Sequence, residues 1–103
     1  MSDIKRLANR IADEFNPEKI ILFGSYASGK PSADSDVDLL VILPHTGKSW
    51  RLAAEIRTRI RPAFPIDLLV RAGEELDRRV AEGDPFLITI IKEGKVLYEK
   101  HHQ

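Results

Sequence analysis

Asp36 and Asp38, in Ser35-Asp36-Val37-Asp38-Leu39-Leu40-Val41, are the residues of this chain best placed to do chemistry. Side chains two apart on a strand point to the same face, so the two carboxylates should stand side by side. Two such charges repel unless a cation lies between them, and Asp38 sits in an apolar run where an unpaired charge is expensive. Hard oxygen ligands, in a chain with no cysteine and no histidine in the motif, favour Mg²⁺ over zinc. Mg²⁺ in turn shares its shell with substrate phosphates. Upstream, Gly24-Ser25-Tyr26-Ala27-Ser28-Gly29 is a small-residue turn. Gly24 permits a sharp change of direction, and Ser25 offers a hydroxyl and a backbone N–H at a helical start that favours anions. A third carboxylate, Asp67, is the only charge in the apolar run Phe64–Val70. If its strand lies against Asp38, it reaches the same metal cluster or accepts a proton from an attacking hydroxyl. Taken singly, each feature has a plainer reading: a solvated strand end for the aspartate pair, an ordinary turn for Gly24-Ser25, an edge strand marked by Pro65 for Asp67.

The elements that must position these groups follow from apolar spacing. Ile4, Leu7, Ala8, Ile11, Ala12 and Phe15 recur at helical intervals, with Ser2 or Asp3 to cap the start and Asn16-Pro17 to stop the end. Lys19–Phe23 reads as a short buried strand closed by Gly24, and Ser25 starts about one helical turn. Val37–Leu43 is the strongest strand, apolar at every position but Asp38 and ended by Pro44, so it belongs in the middle of a sheet covered on both sides. A helix opens at Gly47-Lys48-Ser49 and runs to about Arg61, with Leu52, Ala53, Ile56 and Ile60 as its buried stripe. Its arginines at 51, 57, 59 and 61 read as a solvated face. Phe64–Val70 is the third strand, and Glu74–Ala81 a short charged helix. Phe86–Ile91 is rich enough in β-branched residues to be a strand, but Asp84-Pro85 supplies a helix cap and a first-turn proline, which favours helix. Glu93-Gly94-Lys95 is a turn, Val96–Glu99 an edge strand, and His101-His102-Gln103 a frayed end. Trp50, Tyr26 and Tyr98 read as packing residues, and His45 has no partner spaced for a metal site.

Composition narrows the classes. At 103 residues the chain suffices for one domain, residues 1–103, with a single core. Lysine plus arginine and aspartate plus glutamate each number 16, and this zero net charge argues against a domain that grips nucleic acid by its backbone. The absence of cysteine excludes disulfides and thiolate chemistry. No apolar signal core opens the chain and no run approaches the roughly 20 residues that span a bilayer, so the expected location is cytoplasmic, without membrane contact.

The order Gly24-Ser25, Gly29, Ser35-Asp36-Val37-Asp38-Leu39 and then Asp67 on a following strand resembles the minimal nucleotidyltransferase domains of the DNA polymerase beta superfamily. The resemblance covers nearly the whole chain. It implies an α/β (α+β) fold, a small mixed sheet flanked by helices. It also implies a nucleotide triphosphate, ATP as donor, held by Gly24 and Ser25. Two Mg²⁺ ions would be bound by Asp36 and Asp38, with Asp67 binding one of them and helping to activate the nucleophile. Many members carry an arginine where this chain has Ser28. Small members of the family often pair with an all-helical HEPN protein as antitoxin and toxin, and in some pairs AMP passes from ATP to a tyrosine of the toxin. The resemblance therefore implies an AMP-transferring antitoxin with a HEPN toxin partner. Two alternatives stay open: an antitoxin that neutralises by contact alone, and transfer to a small-molecule acceptor.

Overall fold

The structure, a computed structural model, describes residues 2–32 and 34–101; His102 and Gln103 of the expected frayed end lie outside them. Helix α1 (Ser2–Phe15) buries Ile4, Leu7, Ala8, Ile11 and Ala12, the stripe that the spacing predicts. It begins at Ser2, so Ser2 and Asp3 belong to its first turn and do not precede it as caps. Asn16 ends it in the left-handed region at φ 53°, with its N–H donating to the Ala12 carbonyl. Strand β1 (Lys19–Phe23), the single turn α2 (Ser25–Ser28) and strand β2 (Val37–Ile42) follow. Helix α3 (Ser49–Ile60) then leads to β3 (Ile66–Arg71), α4 (Gly73–Ala81), α5 (Pro85–Glu93) and β4 (Lys95–Glu99).

The ambiguity over Phe86–Ile91 resolves as helix. The Asp84 carboxylate accepts from the Phe86 and Leu87 backbone N–H groups at 3.0 and 3.1 Å, satisfying donors that the first turn otherwise leaves free, and Pro85 has no N–H to satisfy. This local solution outweighs the β-branched composition.

The four strands form one mixed sheet in the order β3-β2-β1-β4, with β1 antiparallel to both its neighbours and β2 parallel to β3. The two-sided apolar strand β2 is internal, as its pattern requires, and Leu39, Leu40 and Val41 are fully buried. Alternation divides the core. Ile20, Leu22, Leu39, Val41, Leu68 and Val70 face α1 and α3, while Ile21, Leu40 and Ile42 face α4 and α5, joined by Leu76, Leu87 and Ile90. Phe23 and Leu69 pack on the second side, and by the same alternation Asp38 and Asp67 project from that side too.

Strand β3 is an edge. Val37 N–H donates to the Pro65 carbonyl and Leu43 N–H to that of Arg71, so the odd-numbered residues turn their backbone groups toward β2 and the even-numbered ones turn outward. Two of those outward carbonyls are occupied: Arg57 donates to Ile66 at 3.1 Å and Arg71 to Val70 at 2.8 Å. Guanidinium groups on an edge discourage strand addition.

Two side chains, Trp50 and His45, depart from or refine expectation. Trp50 is 66% exposed, with the Arg51 guanidinium 5.3 Å from its ring, and is not a packing residue. Tyr26 and Tyr98 do pack against the core. His45 bridges its loop to α3: Nδ1–H donates to the Leu43 carbonyl, which can only accept, and Nε2 accepts from the Ser49 hydroxyl.

Candidate functional site

Strand register decides which candidate residues meet. Phe23, the last residue of β1, lies opposite Asp38, and Asp38 lies directly opposite Asp67 on the parallel neighbour β3. Residues paired in this way share a face, so the carboxylates of Asp38 and Asp67 project side by side from the sheet surface on the α5 side. Asp36 falls just before β2. Its orientation is therefore not enforced by sheet pairing, although Val37 beyond it is tied to Pro65.

Gly24 closes the arrangement. It follows β1 with φ 74° and ψ −155°, a conformation essentially restricted to glycine, and it caps α2 without any side-chain hydrogen bond. A Cβ there would collide with the Asp38 carboxylate, with Asp38 Cγ at 3.1 Å. Glycine is needed twice over, for the turn and for the room that Asp38 occupies. Ser25 then begins the turn, which ends at Gly29 in the left-handed region. Ser28 donates its hydroxyl to the Ser25 carbonyl at 2.9 Å and so completes the turn from within.

The three acids influence one another electrostatically. Asp38 is half-buried while Asp36 and Asp67 are exposed. Burial raises the Asp38 carboxyl above the usual carboxylate range, and the charges of Asp67 and Asp36 raise it further. Among the described residues none of the three forms an ion pair with a lysine or arginine. Neither do they converge into a closed group of three metal ligands among those residues. Like charges held apart on one rim, with only hard oxygen donors and no internal cation to neutralise them, fit a hard divalent ion that would draw them together. Zinc, which prefers nitrogen and sulfur, suits the set poorly.

A cavity of about 430 Å³ opens on the same side of the sheet, between the Gly24–Ser28 turn and α5. Phe23 forms part of it, and the Phe86 ring stands edge-on to Phe23 with centroids 5.9 Å apart and planes at 84°. Sequence reasoning assigned nothing to Phe86. The available signal was its place in the first turn of a proline-started helix, which says where the residue stands on α5 but not that α5 docks beside the Gly-Ser turn.

Residues 4–98 match the nucleotidyltransferase domain family. The chain belongs to that family. A provisionally assigned protein adenylyltransferase from Methanocaldococcus jannaschii is 27% identical over 99 residues, covering 92% of this chain and 94% of the relative. Among solved structures, a provisionally assigned nucleotidyltransferase from Sulfolobus solfataricus superposes with a TM-score of 0.66 at 20% identity, over 96% of this chain and 79% of the other. A toxin–antitoxin complex solved with AMP-PNP gives a TM-score of 0.55 at 21% identity, over 94% of this chain and 74% of the other. The mutant toxin–antitoxin complex MntA-HpeT, with two Asp→Glu substitutions two positions apart, gives 0.52 at 18%, over 94% and 74%. These structural likenesses establish the mixed sheet flanked by helices as the nucleotidyltransferase fold. Among the described residues no helix is long and apolar enough to cross a membrane.

Proposed function

We propose that this nucleotidyltransferase transfers AMP from ATP to a hydroxyl, a tyrosine of a HEPN toxin partner, and acts as its antitoxin in the cytoplasm. The observation that carries the reading is the in-register pair Asp38 and Asp67 with Gly24 packed against Asp38, which joins the carboxylates to the Gly-Ser turn in one site. Asp36 and Asp38 would hold two Mg²⁺ ions and Asp67 one of them, supplying charge that stabilises the transferring phosphoryl group. The chain's own residues position the reactants. Gly24 and Ser25 seat the triphosphate with uncapped backbone N–H groups and a hydroxyl, and Asp67, on the edge strand, meets the incoming hydroxyl and takes its proton. The bond from the α-phosphorus to the bridging oxygen breaks, the acceptor oxygen takes its place, and pyrophosphate leaves.

The provisional adenylyltransferase name of the archaeal relative and the toxin–antitoxin neighbours support the acceptor class. The Asp→Glu substitutions in the MntA-HpeT complex, two positions apart, have the spacing of Asp36 and Asp38. Residues 1–103 would then act as one minimal domain whose acceptor is brought by the partner.

The test is direct. Wild type, Asp36→Asn and Asp38→Asn are each incubated with the toxin partner, ATP and Mg²⁺, and the partner is weighed by mass spectrometry. Wild type should add an adenylyl group and both variants should not. Unmodified partner with wild type, but full neutralisation by all three proteins, would instead establish an antitoxin that works by contact.

A further inference from the structure

The cavity beside the Gly-Ser turn is not used by the phosphate and metal chemistry, yet it shares Gly24 with it. At about 430 Å³ it falls within the range of small-molecule sites, roughly 300–1,000 Å³. Its floor is the edge-to-face pair Phe23 and Phe86, and Phe86 remains 56% exposed although its helix is firmly capped by Asp84. Gly94 lets α5 close down on the sheet at this point: a Cβ there would stand 2.5 Å from both Ile21 Cγ2 and the Ile90 carbonyl. The result is a built aromatic shelf that opens one residue away from Asp38, since Phe23 is the register partner of Asp38.

The polar side chains of the cavity share one property. The Ser28 hydroxyl donates to the Ser25 carbonyl and the Thr89 hydroxyl to the Pro85 carbonyl, so both offer only lone pairs inward. Glu93, also at the cavity, is a carboxylate that can only accept. A flat ligand that stacks on an aromatic ring and presents N–H donors at its edge meets both conditions. A second phosphate or an acidic peptide does not.

We infer that this cavity binds the base of the donor nucleotide, an amine-bearing purine stacked on Phe86 with its exocyclic amine toward Thr89 and Glu93. The inference rests on the nucleotidyl-transfer reading above and adds the residues that choose the nucleotide. Phosphates bind at Gly24 and Ser25, and the base binds across the turn against α5. Base selection thereby falls to Phe86, Thr89 and Glu93, which lie outside the Gly-Ser and aspartate motif.

The experiment measures binding by isothermal titration calorimetry in Mg²⁺, with AMP-PNP and inorganic tripolyphosphate as separate probes, on wild type, Phe86→Ala and Phe86→Trp. Since stacking on an aromatic side chain is worth ~1–3 kcal/mol per base, Phe86→Ala should weaken AMP-PNP by about fivefold or more. Tripolyphosphate binding should be unchanged, and Phe86→Trp should retain AMP-PNP. The 6-keto nucleotide ITP should compete more weakly than ATP for wild type, and Glu93→Ala should narrow that difference. Phe86 is exposed, so circular dichroism should show the folded state in every variant. AMP-PNP binding that is equal in wild type and Phe86→Ala would overturn the inference while leaving the nucleotide reading standing. A wild type that binds neither probe would overturn both.

Discussion

Replacing Gly24 by alanine tests whether the Gly-Ser turn and the carboxylates form one unit. Two costs can be worked from the geometry. At φ 74° and ψ −155° a residue with a Cβ occupies a region that is essentially glycine-only, at about 1–3 kcal/mol. The new methyl would also fall on the Asp38 carboxylate, which must rotate off its preferred position at about 0.5–1.5 kcal/mol. Together these predict a loss of roughly 1.5–4.5 kcal/mol, to be set against a total stability of about 5–15 kcal/mol for a domain of ordinary size. Gly24→Ala should therefore fold, but with a clearly lower urea midpoint. A double-mutant cycle separates the two costs: in an Asp38→Ala background the collision disappears and only the backbone strain remains, so the two changes should couple by about 1 kcal/mol. Under the proposed function, adenylyl transfer should also fall sharply, because the displaced group is one of the carboxylates assigned to the site. A Gly24→Ala destabilisation below about 0.5 kcal/mol, or purely additive behaviour with Asp38→Ala, would refute this geometry.

Asp38 itself predicts a stability that depends on pH. Its folded-state carboxyl is raised by burial and by Asp67 and Asp36, so the native chain holds the proton more tightly than the unfolded chain does. That contribution is fully present below the unfolded value, near 3.8, and is lost as pH rises through the raised folded value. Asp38→Asn should thus be more stable than wild type at neutral pH without Mg²⁺, and the difference should vanish in urea titrations near pH 3. Asp84→Ala removes the two hydrogen bonds that cap α5 and the 3.6 Å ion pair with Arg79. It should cost ~1 kcal/mol, read as a lower melting temperature.

Much of this architecture is legible in the residues because local and tertiary requirements agree. The run Val37–Leu43 is apolar on both faces, which only an internal strand satisfies, and β2 is internal. Asp84-Pro85 states its own helix start against a β-branched composition. What could not be read depends on register and docking. That Asp38 faces Asp67 residue for residue is a property of two strands separated by a helix, and the sequence offers only the suggestion of two acids in two apolar runs. The exposure of Trp50 likewise depends on how α3 lies across the sheet. Helical spacing leaves it off the buried stripe, but its size argues for packing. Phe86 was invisible as a site residue for the same reason, since nothing in Asp84-Pro85-Phe86 announces that its neighbour will be Phe23.

The two edges of the site differ in a way that bears on the acceptor. On the β1 side the Gly-Ser turn and the aromatic cavity offer room for a nucleotide. On the β3 side Asp67 lies on the sheet edge, and a second cavity of about 300 Å³ runs from Asp67 past Arg57 toward Trp50. A displacement at the α-phosphorus requires the entering oxygen to approach opposite the departing pyrophosphate. If the triphosphate lies on the Gly24 side, as proposed, the acceptor would arrive over the β3 edge. It does not arrive as an added strand, because Arg57 and Arg71 already occupy the outward carbonyls of Ile66 and Val70. A side chain reaching over the strand ends from a folded partner satisfies both conditions. This mode of approach suits a hydroxyl carried on a helix or turn of another protein better than one on an extended peptide.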